Sequence, residues 1–174
     1  RAETATILDN VIGYVNKSVH SFADVSNDDW FADAVSKLNA AGVMSGDGDG
    51  AMRPSANISR EEASVMFFRA FGISAESSDT SFGDADQISS WAKEAIDTLS
   101  SRGYIQGSDG NFRPKDPITR AELVTILNNI VGLYATDSKV YTGDYGNKIA
   151  VIKDAGITLS GVTAGGAVIS PQVD

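Results

Sequence analysis

Ile118-Thr119-Arg120-Ala121-Glu122 is the stretch that decides the fold, because it occurs three times in the chain. A second copy reads Ile58-Ser59-Arg60-Glu61-Glu62, and a remnant, Arg1-Ala2-Glu3, stands at the beginning. The arginines of the last two copies are 60 residues apart, and those of the first two are 59 apart. A period of that length indicates a repeated supersecondary unit.

Each copy has the features of a helix start. Ser59 and Thr119 are good N-cap residues, and a glutamate follows each of them three positions later, as in a capping box. Apolar residues then recur with helical period. The apolar positions are Ile7, Leu8, Val11, Ile12 and Val15 in the first copy, Ala63, Met66, Phe67, Ala70 and Phe71 in the second, and Leu123, Ile126, Leu127, Ile130 and Val131 in the third. We therefore predict a mainly α fold, with a pseudo-threefold central bundle of three helices.

The arginine is the unusual member of the block, because the N-terminus of a helix favours anions over cations. One explanation is a surface arginine, solvated or paired with a carboxylate of a neighbouring repeat. The other is that the guanidinium and the free N–H groups of the first turn hold an anionic group of a ligand. Arg1, Arg60 and Arg120 are therefore candidate ligand-binding residues.

The segment before each full block repeats as well. The corresponding positions are Phe22-Ala23-Asp24 and Phe82-Gly83-Asp84, Trp30 and Trp91, Gly46 and Gly107, and Arg53-Pro54 and Arg113-Pro114. Each tryptophan begins an apolar helical stripe, so we expect it to be buried, although one ring face could still stack on a ligand. The glycines either satisfy a turn of positive φ or let backbone amides approach a ligand. The aspartates either cap the local turn or accept hydrogen bonds from a ligand.

Residues 135–174 have a different composition. Short runs rich in β-branched residues alternate with glycines, which predicts a small β-rich segment. Such runs suit the start of a β-solenoid or of an assembly domain, whose open strand edge needs a partner. The predicted organisation is the last helix of one repeat at 1–16, full repeats at 17–73 and 74–134, and the β segment at 135–174.

Composition excludes several classes of protein. The net charge of −9 and the lack of a basic stripe argue against nucleic-acid binding. No stretch approaches the roughly 20 apolar residues of a membrane span, so we expect no membrane insertion. The absence of cysteine suits a secreted protein without disulfides, but cytosolic proteins can lack cysteine too. The chain starts within a motif, so we interpret it as a piece of a longer protein.

The sequence predicts neither a metal site nor an enzyme. Asp47-Gly48-Asp49-Gly50 is similar to part of a calcium loop, but the position that needs a glutamate holds Ala56. We therefore predict a turn there. The chain has no cysteine nucleophile and no phosphate-binding loop, and the neighbouring Glu61 and Glu62 point to different faces of a helix. We expect no catalytic activity and no cofactor.

Together the motifs resemble the S-layer homology (SLH) family. The pattern is Phe-x-Asp-Val, a tryptophan on the next helix, a glycine-rich Asp-Gly turn, Phe/Met-Arg-Pro and Ile-Thr-Arg-Ala-Glu, over residues 1–133. The resemblance implies three repeats around a central bundle, with grooves that bind secondary cell-wall polymer, often through a terminal pyruvylated sugar, or modified peptidoglycan. It also implies a secreted protein anchored non-covalently at the cell wall. The tail is similar to the β-helical segments of some large surface proteins.

The resemblance also assigns roles to residues. It implies that Arg1, Arg60 and Arg120 bind a ligand carboxylate, and it places Asp24, Asp84, Trp30 and Trp91 in the ligand groove. We expect the glycine loops at Gly46 and Gly107 to supply amides. One departure is Glu61, which stands where the motif has alanine and could pair with Arg60 or repel an anion. The alternative function is a structural S-layer or filament subunit, in which the repeats are a scaffold and the β segment mediates self-association.

Overall fold

The computed structural model describes residues 1–19, 22–79 and 81–170. Within these ranges the chain forms five α-helices, five β-strands and a short 3₁₀ helix at Ala85–Gln87. The helices are α1 (Ala2–Ile12), α2 (Ala32–Ala40), α3 (Arg60–Ala70), α4 (Ser90–Ser101) and α5 (Arg120–Ile130). The strands are β1 (Val131–Ala135), β2 (Val140–Asp144), β3 (Ile149–Ile152), β4 (Thr158–Thr163) and β5 (Gly166–Ile169).

The prediction of a mainly α fold is wrong. The chain is 34% helical and 17% strand, which is a mixed α/β fold. Strands β2 to β5 lie in the predicted β segment, whereas β1 begins at the end of α5, where the helix passes directly into the strand at Val131 without a loop. Val131 belongs to the apolar stripe of the helix, but the chain is already extended there, and its C-cap geometry is that of a strand. Hydrophobic periodicity does not separate these two states in a short apolar run.

The chain divides into two compact units. The first contains Arg1–Ala56 and Leu133–Asp174, and the second contains Asn57–Gly132. The motif helices are distributed between them, with α1 in the first unit and α3 and α5 in the second. The pseudo-threefold bundle stays a prediction. Among the described residues, no helix is both long enough and apolar enough to cross a bilayer.

Both predicted capping boxes are confirmed. The N–H group of Glu62 donates to Ser59 Oγ at 3.2 Å, and the N–H group of Ser59 donates to Glu62 Oε2 at 2.8 Å. Thr119 and Glu122 make the same pair of bonds, at 3.2 and 2.9 Å. Reciprocal bonds of this kind satisfy two backbone donors that a helix start leaves open. The sequence therefore places the starts of α3 and α5 correctly.

In the second unit, α3 packs against α4 around a core of large apolar side chains. Its most buried members are Phe67, Ile96, Leu99, Tyr104, Phe112 and Ile130. Glu61, on the first turn of α3, is 4% exposed and accepts from the N–H group of Ser89 at 3.1 Å and from Lys115 Nζ at 2.6 Å. Since Ser89 is the N-cap of α4, the unusual glutamate joins the beginnings of two helices.

In the first unit, α1 packs against α2, and Lys37 Nζ of α2 lies 3.1 Å from Asp9 Oδ2 of α1. The β segment of this unit forms two sheets, and successive strands alternate between them. One sheet has the order β1-β3-β5, and the other pairs β2 with β4. The β2–β4 and β3–β5 pairs are parallel, with Val140 opposite Thr158 and Ile149 opposite Gly166. Leu133, Ala135, Ala150 and Ile152 form the core between the strands.

Side chains of the β segment satisfy the carbonyl groups at the end of α1. Tyr134 Oη and Lys153 Nζ both donate to the carbonyl oxygen of Asn10, each at 3.3 Å. Ser170 Oγ donates to the carbonyl oxygen of Gly13 at 3.4 Å. Burial lowers the pKa of Lys153, and the carboxylate of Asp9 partly opposes that shift. A cation at this position also matches the negative end of the helix dipole.

Candidate ligand-binding site

A carboxylate holds the same turn in both repeats. In each repeat the two oxygens of one aspartate accept hydrogen bonds from two consecutive backbone N–H groups. The donors are Met52 and Arg53 for Asp24, at 2.8 and 2.7 Å, and Phe112 and Arg113 for Asp84, both at 2.7 Å. Of the two roles expected for these aspartates, the geometry supports fixing the turn. We call this arrangement the aspartate clamp.

The clamped turn has a backbone conformation that non-glycine residues rarely adopt. Arg53 has φ of 52° and Arg113 has φ of 57°, both in the left-handed region. That conformation costs about 1 kcal/mol for a residue with a Cβ atom. Its recurrence at the same position of both repeats shows that the surrounding structure imposes it. The clamp supplies two charge-assisted hydrogen bonds that offset the cost.

The two loop glycines are required chiefly because their side-chain space is filled. A Cβ atom on Gly46 would lie 2.7 Å from the ring of Phe22 and 2.8 Å from the carbonyl oxygen of Ala51. A Cβ atom on Gly107 would collide with the carbonyl group of Asn111. Gly46 also has a positive φ of 74°, whereas Gly107 does not have positive φ. A role of their amides in ligand binding stays a prediction.

Arg60 is buried and bound within the second unit. Its side chain donates from Nε to the carbonyl oxygen of Phe112 at 2.7 Å and from Nη2 to that of Gln106 at 3.1 Å. Its Nη1 atom pairs with Glu122, and the guanidinium lies 5.0 Å from the centre of the Phe112 ring. Only 7% of the residue is exposed. The geometry therefore supports the alternative explanation, pairing with a carboxylate of the neighbouring repeat.

Glu122 serves both the capping box and this ion pair. Partial burial alone would raise the pKa of its carboxyl group. Hydrogen bonds from the backbone and side chain of Thr119 and the charge of Arg60 outweigh that effect, so the pKa lies below its ordinary value. The glutamate is therefore held in its charged form. The capping box and the ion pair together fix Arg60 at the first turn of α5.

The other two motif arginines have different surroundings. Arg120 is exposed at the beginning of α5 in the second unit, and Arg1 is half-buried before α1 in the first unit. The N–H group of Ala2, beside Arg1, donates to the carbonyl oxygen of Pro54 at 3.1 Å. A ligand-binding role for each arginine stays a prediction. Arg120 is the one whose exposure allows direct contact with a ligand.

The expected burial of the tryptophans is wrong. Trp30 is 67% exposed and Trp91 is 55% exposed. Trp30 precedes α2, and the adjacent Phe31 takes the buried position, with the two rings edge to face at 5.3 Å between centres. Trp91 lies on the outer side of α4, whereas Ala92 and Ile96 of the same helix face the core. Large exposed aromatic rings at matching positions of two repeats are typical of interaction surfaces.

An open cavity of about 290 Å³ lies beside the clamp of the second unit. Its polar lining consists of Asp84, Gln87, Asn111, Arg113, Lys115 and Asp116. Sequence reasoning did not identify this group as a site. The available signal was the Arg-Pro pair that recurs in both repeats, but a repeated pair does not reveal which side chains converge on it.

The acidic turn that is similar to a calcium loop has an internal partner. Asp47 pairs with Arg53 Nε, and Asp49 Oδ2 lies 3.3 Å from Arg53 Nη2. These ion pairs account for both carboxylates of the turn. Across residues 1–19, 22–79 and 81–170, no cluster of three or more metal-ligating side chains is present.

A known protein family matches both full repeats of the chain. The model of the S-layer homology domain matches residues 21–64 and 81–124. The chain is similar to exoglucanase XynX of Acetivibrio thermocellus (37% identity over 63% of this chain), the surface-layer 125 kDa protein of Lysinibacillus sphaericus (29% over 92%) and the cellulosome-anchoring protein of Acetivibrio thermocellus (31% over 74%). It spans only 11%, 14% and 31% of the lengths of these three relatives.

Replacement of Arg60 tests its structural role. We expect Arg60→Met to lower the free energy of unfolding by about 3 kcal/mol, because it leaves the buried carbonyl group of Phe112 and the part-buried one of Gln106 without a donor and removes the charge that pairs with Glu122. Arg69→Met is the matched control, since Arg69 is exposed on the same helix, and its effect should stay within about 0.5 kcal/mol. Urea denaturation followed by circular dichroism measures both. Equal effects of the two substitutions would show that Arg60 does not hold the loop.

The clamp of the first unit predicts a dependence on pH. The N–H group of Met52 is the main cause that holds the pKa of Asp24 below 3.8, with desolvation opposing and the N–H group of Arg53 adding to the shift. The stability that this carboxylate contributes is therefore complete above pH 3.8 and is lost as the pH falls through the lower folded-state value. Carboxyl carbon NMR should give a midpoint below 3.8. Asp24→Asn should remove the part of the acid-induced loss of stability that comes from protonating this carboxylate. A titration midpoint of Asp24 above 3.8 would contradict the clamp.

Proposed function

Because the chain belongs to the S-layer homology domain family, we propose that it anchors a bacterial surface protein to the cell wall by binding wall polysaccharide. The family and its S-layer relatives identify the chain as part of a secreted cell-surface protein. The observation that carries the proposal is the pair of exposed tryptophans, Trp30 and Trp91, at matching positions of two repeats. An anchor of this kind binds its polymer without reacting with it.

The binding mechanism uses the exposed side chains and not the buried ones. The indole rings stack on the apolar faces of sugar rings, which adds van der Waals contact without desolvating a charge. The guanidinium of Arg120 binds an acidic group of the polymer, such as a pyruvyl carboxylate, with two parallel hydrogen bonds. Arg60 supports the site indirectly, since its bonds hold the carbonyl groups of the loop that contains Phe112. The aspartate clamps keep each turn in place.

We infer that the segment that these relatives share with the chain is an attachment module and not a catalytic one. The exoglucanase matches this chain over only 11% of its own length. The cellulosome-anchoring protein matches over a larger share of this chain and has a name that describes attachment alone. We infer that the repeats supply attachment to several different surface proteins. Modified peptidoglycan is a second polymer that the same exposed groups would bind.

A second candidate function is assembly into a surface lattice or filament. The surface-layer relative matches 92% of this chain, which includes much of the β segment. That segment carries exposed apolar side chains at Val140, Leu159 and Ile169. Strand edges and apolar surface of this kind favour association between chains. Anchoring and assembly are compatible functions of one protein.

Sedimentation with bacterial cell walls tests anchoring. The chain should pellet with walls that have been stripped of protein and should stay in solution with walls that have also lost their secondary polymer. Combining Trp30→Ala with Trp91→Ala should weaken retention about tenfold, because two stacking contacts are lost. Val124→Ala, at a residue that is also exposed, is the control. Full retention of the double variant would contradict the proposed mechanism.

Sedimentation velocity tests the assembly function. If the β segment mediates association, the apparent mass should rise with concentration, and Leu159→Asp combined with Ile169→Asp should abolish the rise, because charge on an apolar contact opposes burial. Removing residues 135–174 is a poor alternative, since they belong to the same compact unit as α1 and α2. A monomer at all concentrations that still binds walls would leave anchoring as the sole function.

A further inference from the structure

Two adjacent strands of the β1-β3-β5 sheet have nearly the same sequence. β3 reads Ile-Ala-Val-Ile over residues 149–152, and β5 reads Gly-Ala-Val-Ile over residues 166–169. The parallel ladder places the Ala, Val and Ile of one strand opposite the same three residues of the other. On the side that β3 occupies, β5 therefore already packs beside a strand that carries Ala-Val-Ile.

The matching side chains of these strands differ in burial. Ile152 of β3 is 8% exposed and belongs to the core between the two sheets, whereas its partner Ile169 of β5 is 63% exposed. Paired residues of a ladder point to the same face of a sheet, so Ile169 lies at the open end of that core. β3 has a strand on each side, but β5 is the last strand of its sheet among the residues that the structure describes. A further strand beside β5 would cover Ile169.

Alternate residues of β5 direct their backbone groups to the open side. The N–H group of Ser170 donates to the carbonyl oxygen of Ile152 at 2.8 Å. Residues two apart in a parallel strand bond to the same neighbour, so Val168 faces β3 as Ser170 does. Ala167 and Ile169 therefore present their N–H and C=O groups at the free edge. A row of backbone donors and acceptors at an edge is a template for another strand.

The β5 edge has none of the features by which edge strands commonly prevent pairing. β5 contains no proline and no charged residue, and its register with β3 is regular. β4, an edge strand of the other sheet, is different, because its register with β2 shifts between Tyr141 and Gly143 and its Gly161 has φ of 63°. A bulge of this kind disturbs pairing with a further strand. The regular edge is therefore that of β5.

The part of the β segment that carries β5 is also uncharged. Residues 155–173 contain no Asp, Glu, Lys or Arg, although the chain has a net charge of −9. Charged residues do occur earlier in the segment, such as Lys139 before β2 and Lys153 after β3. Two copies of the chain can therefore bring their β5 edges together without placing like charges opposite each other.

We propose that the β5 edge pairs with the β5 edge of a second copy of this chain, antiparallel and about a twofold axis. Twofold symmetry is the commonest arrangement of identical subunits, and it places the same surface of each copy in the contact. Rotation about an axis perpendicular to the sheet keeps the core faces of both copies on one side, so the two Ile169 side chains join one continuous core. The proposal rests on assembly, the second candidate function, and adds the strand, its orientation and its partner.

Amide hydrogen exchange of the full chain, followed by NMR, tests the contact directly. The N–H groups of Ala167 and Ile169 should exchange at least about tenfold more slowly at high protein concentration than at low concentration, since the dimer bonds them. The N–H group of Val168, which faces β3 in every copy, should change much less. The same slowing at Val168, or no slowing at Ala167 and Ile169, would overturn the proposal.

Proline substitutions provide a matched pair. Ala167→Pro removes an N–H group that faces the free edge, and the twofold axis makes this loss count twice, so the dissociation constant of the dimer should rise at least about tenfold. The monomer should stay folded, because an edge strand tolerates proline where its N–H group faces solvent. Val168→Pro removes a bond of the ladder to β3 and should instead lower the stability of the monomer.

A charge substitution tests the same edge without proline. Ile169→Lys places a charge in the contact and should also raise the dissociation constant at least about tenfold. Thr163→Lys, at an exposed residue of the bulged strand β4, is the control and should change it less than threefold. Sedimentation velocity measures each variant. Dissociation constants that stay unchanged in both Ala167→Pro and Ile169→Lys would overturn the contact, even if one of these variants is partly unfolded.

The outcomes separate this contact from assembly and from anchoring. If the chain associates but the edge variants associate equally well, assembly uses another surface and the β5 contact fails. If the chain stays monomeric and a synthetic peptide with the sequence of residues 148–154 binds β5, the edge accepts a strand but the second copy is the wrong partner. If the chain is monomeric and pellets with walls, anchoring alone stands. Dimers through β5 that do not pellet with walls would leave the contact intact and refute anchoring.

Discussion

The repeats depend on one interaction, a carboxylate that accepts hydrogen bonds from two successive backbone N–H groups. Asp24 and Asp84 each make this clamp across nearly thirty residues of sequence. It joins the beginning of a repeat to the turn that precedes the next motif helix, and it holds an arginine in a left-handed conformation. Loss of the negative charge would leave two N–H groups and a strained turn without support. The loop glycines, the Arg-Pro pair and the cavity all lie around this contact.

The buried motif arginine connects the clamped loop of the second unit to the next motif helix, α5. Arg60 binds two carbonyl groups of the loop at Gln106 and Phe112 and pairs with Glu122, which also caps α5. One guanidinium therefore connects a helix start, a loop and a second helix start. A residue type that is typical of ligand sites has a structural role here because its planar fork suits carbonyl and carboxylate groups alike.

Sequence reasoning predicted local structure better than it predicted the environment of side chains. The capping boxes at Ser59 and Thr119 follow from hydrogen bonds within four residues, and both are present. The exposure of Trp30 could not be read in this way, because Phe31 beside it competes for the same buried space. The ion pair of Arg60 depends on Glu122, which lies 62 residues away in the chain. The fold class gave too little weight to the β segment, and β1 was missed because the apolar stripe of α5 runs without interruption into that strand.

The attachment of the β segment to α1 has a mechanical consequence. Tyr134, Lys153 and Ser170 bind carbonyl groups at the end of α1, and a parallel ladder joins β3 to β5, the strands that precede Lys153 and Ser170. A force applied along these two strands would load the hydrogen bonds of the ladder together. Separating the β segment from the end of α1 would therefore require several bonds to break at once.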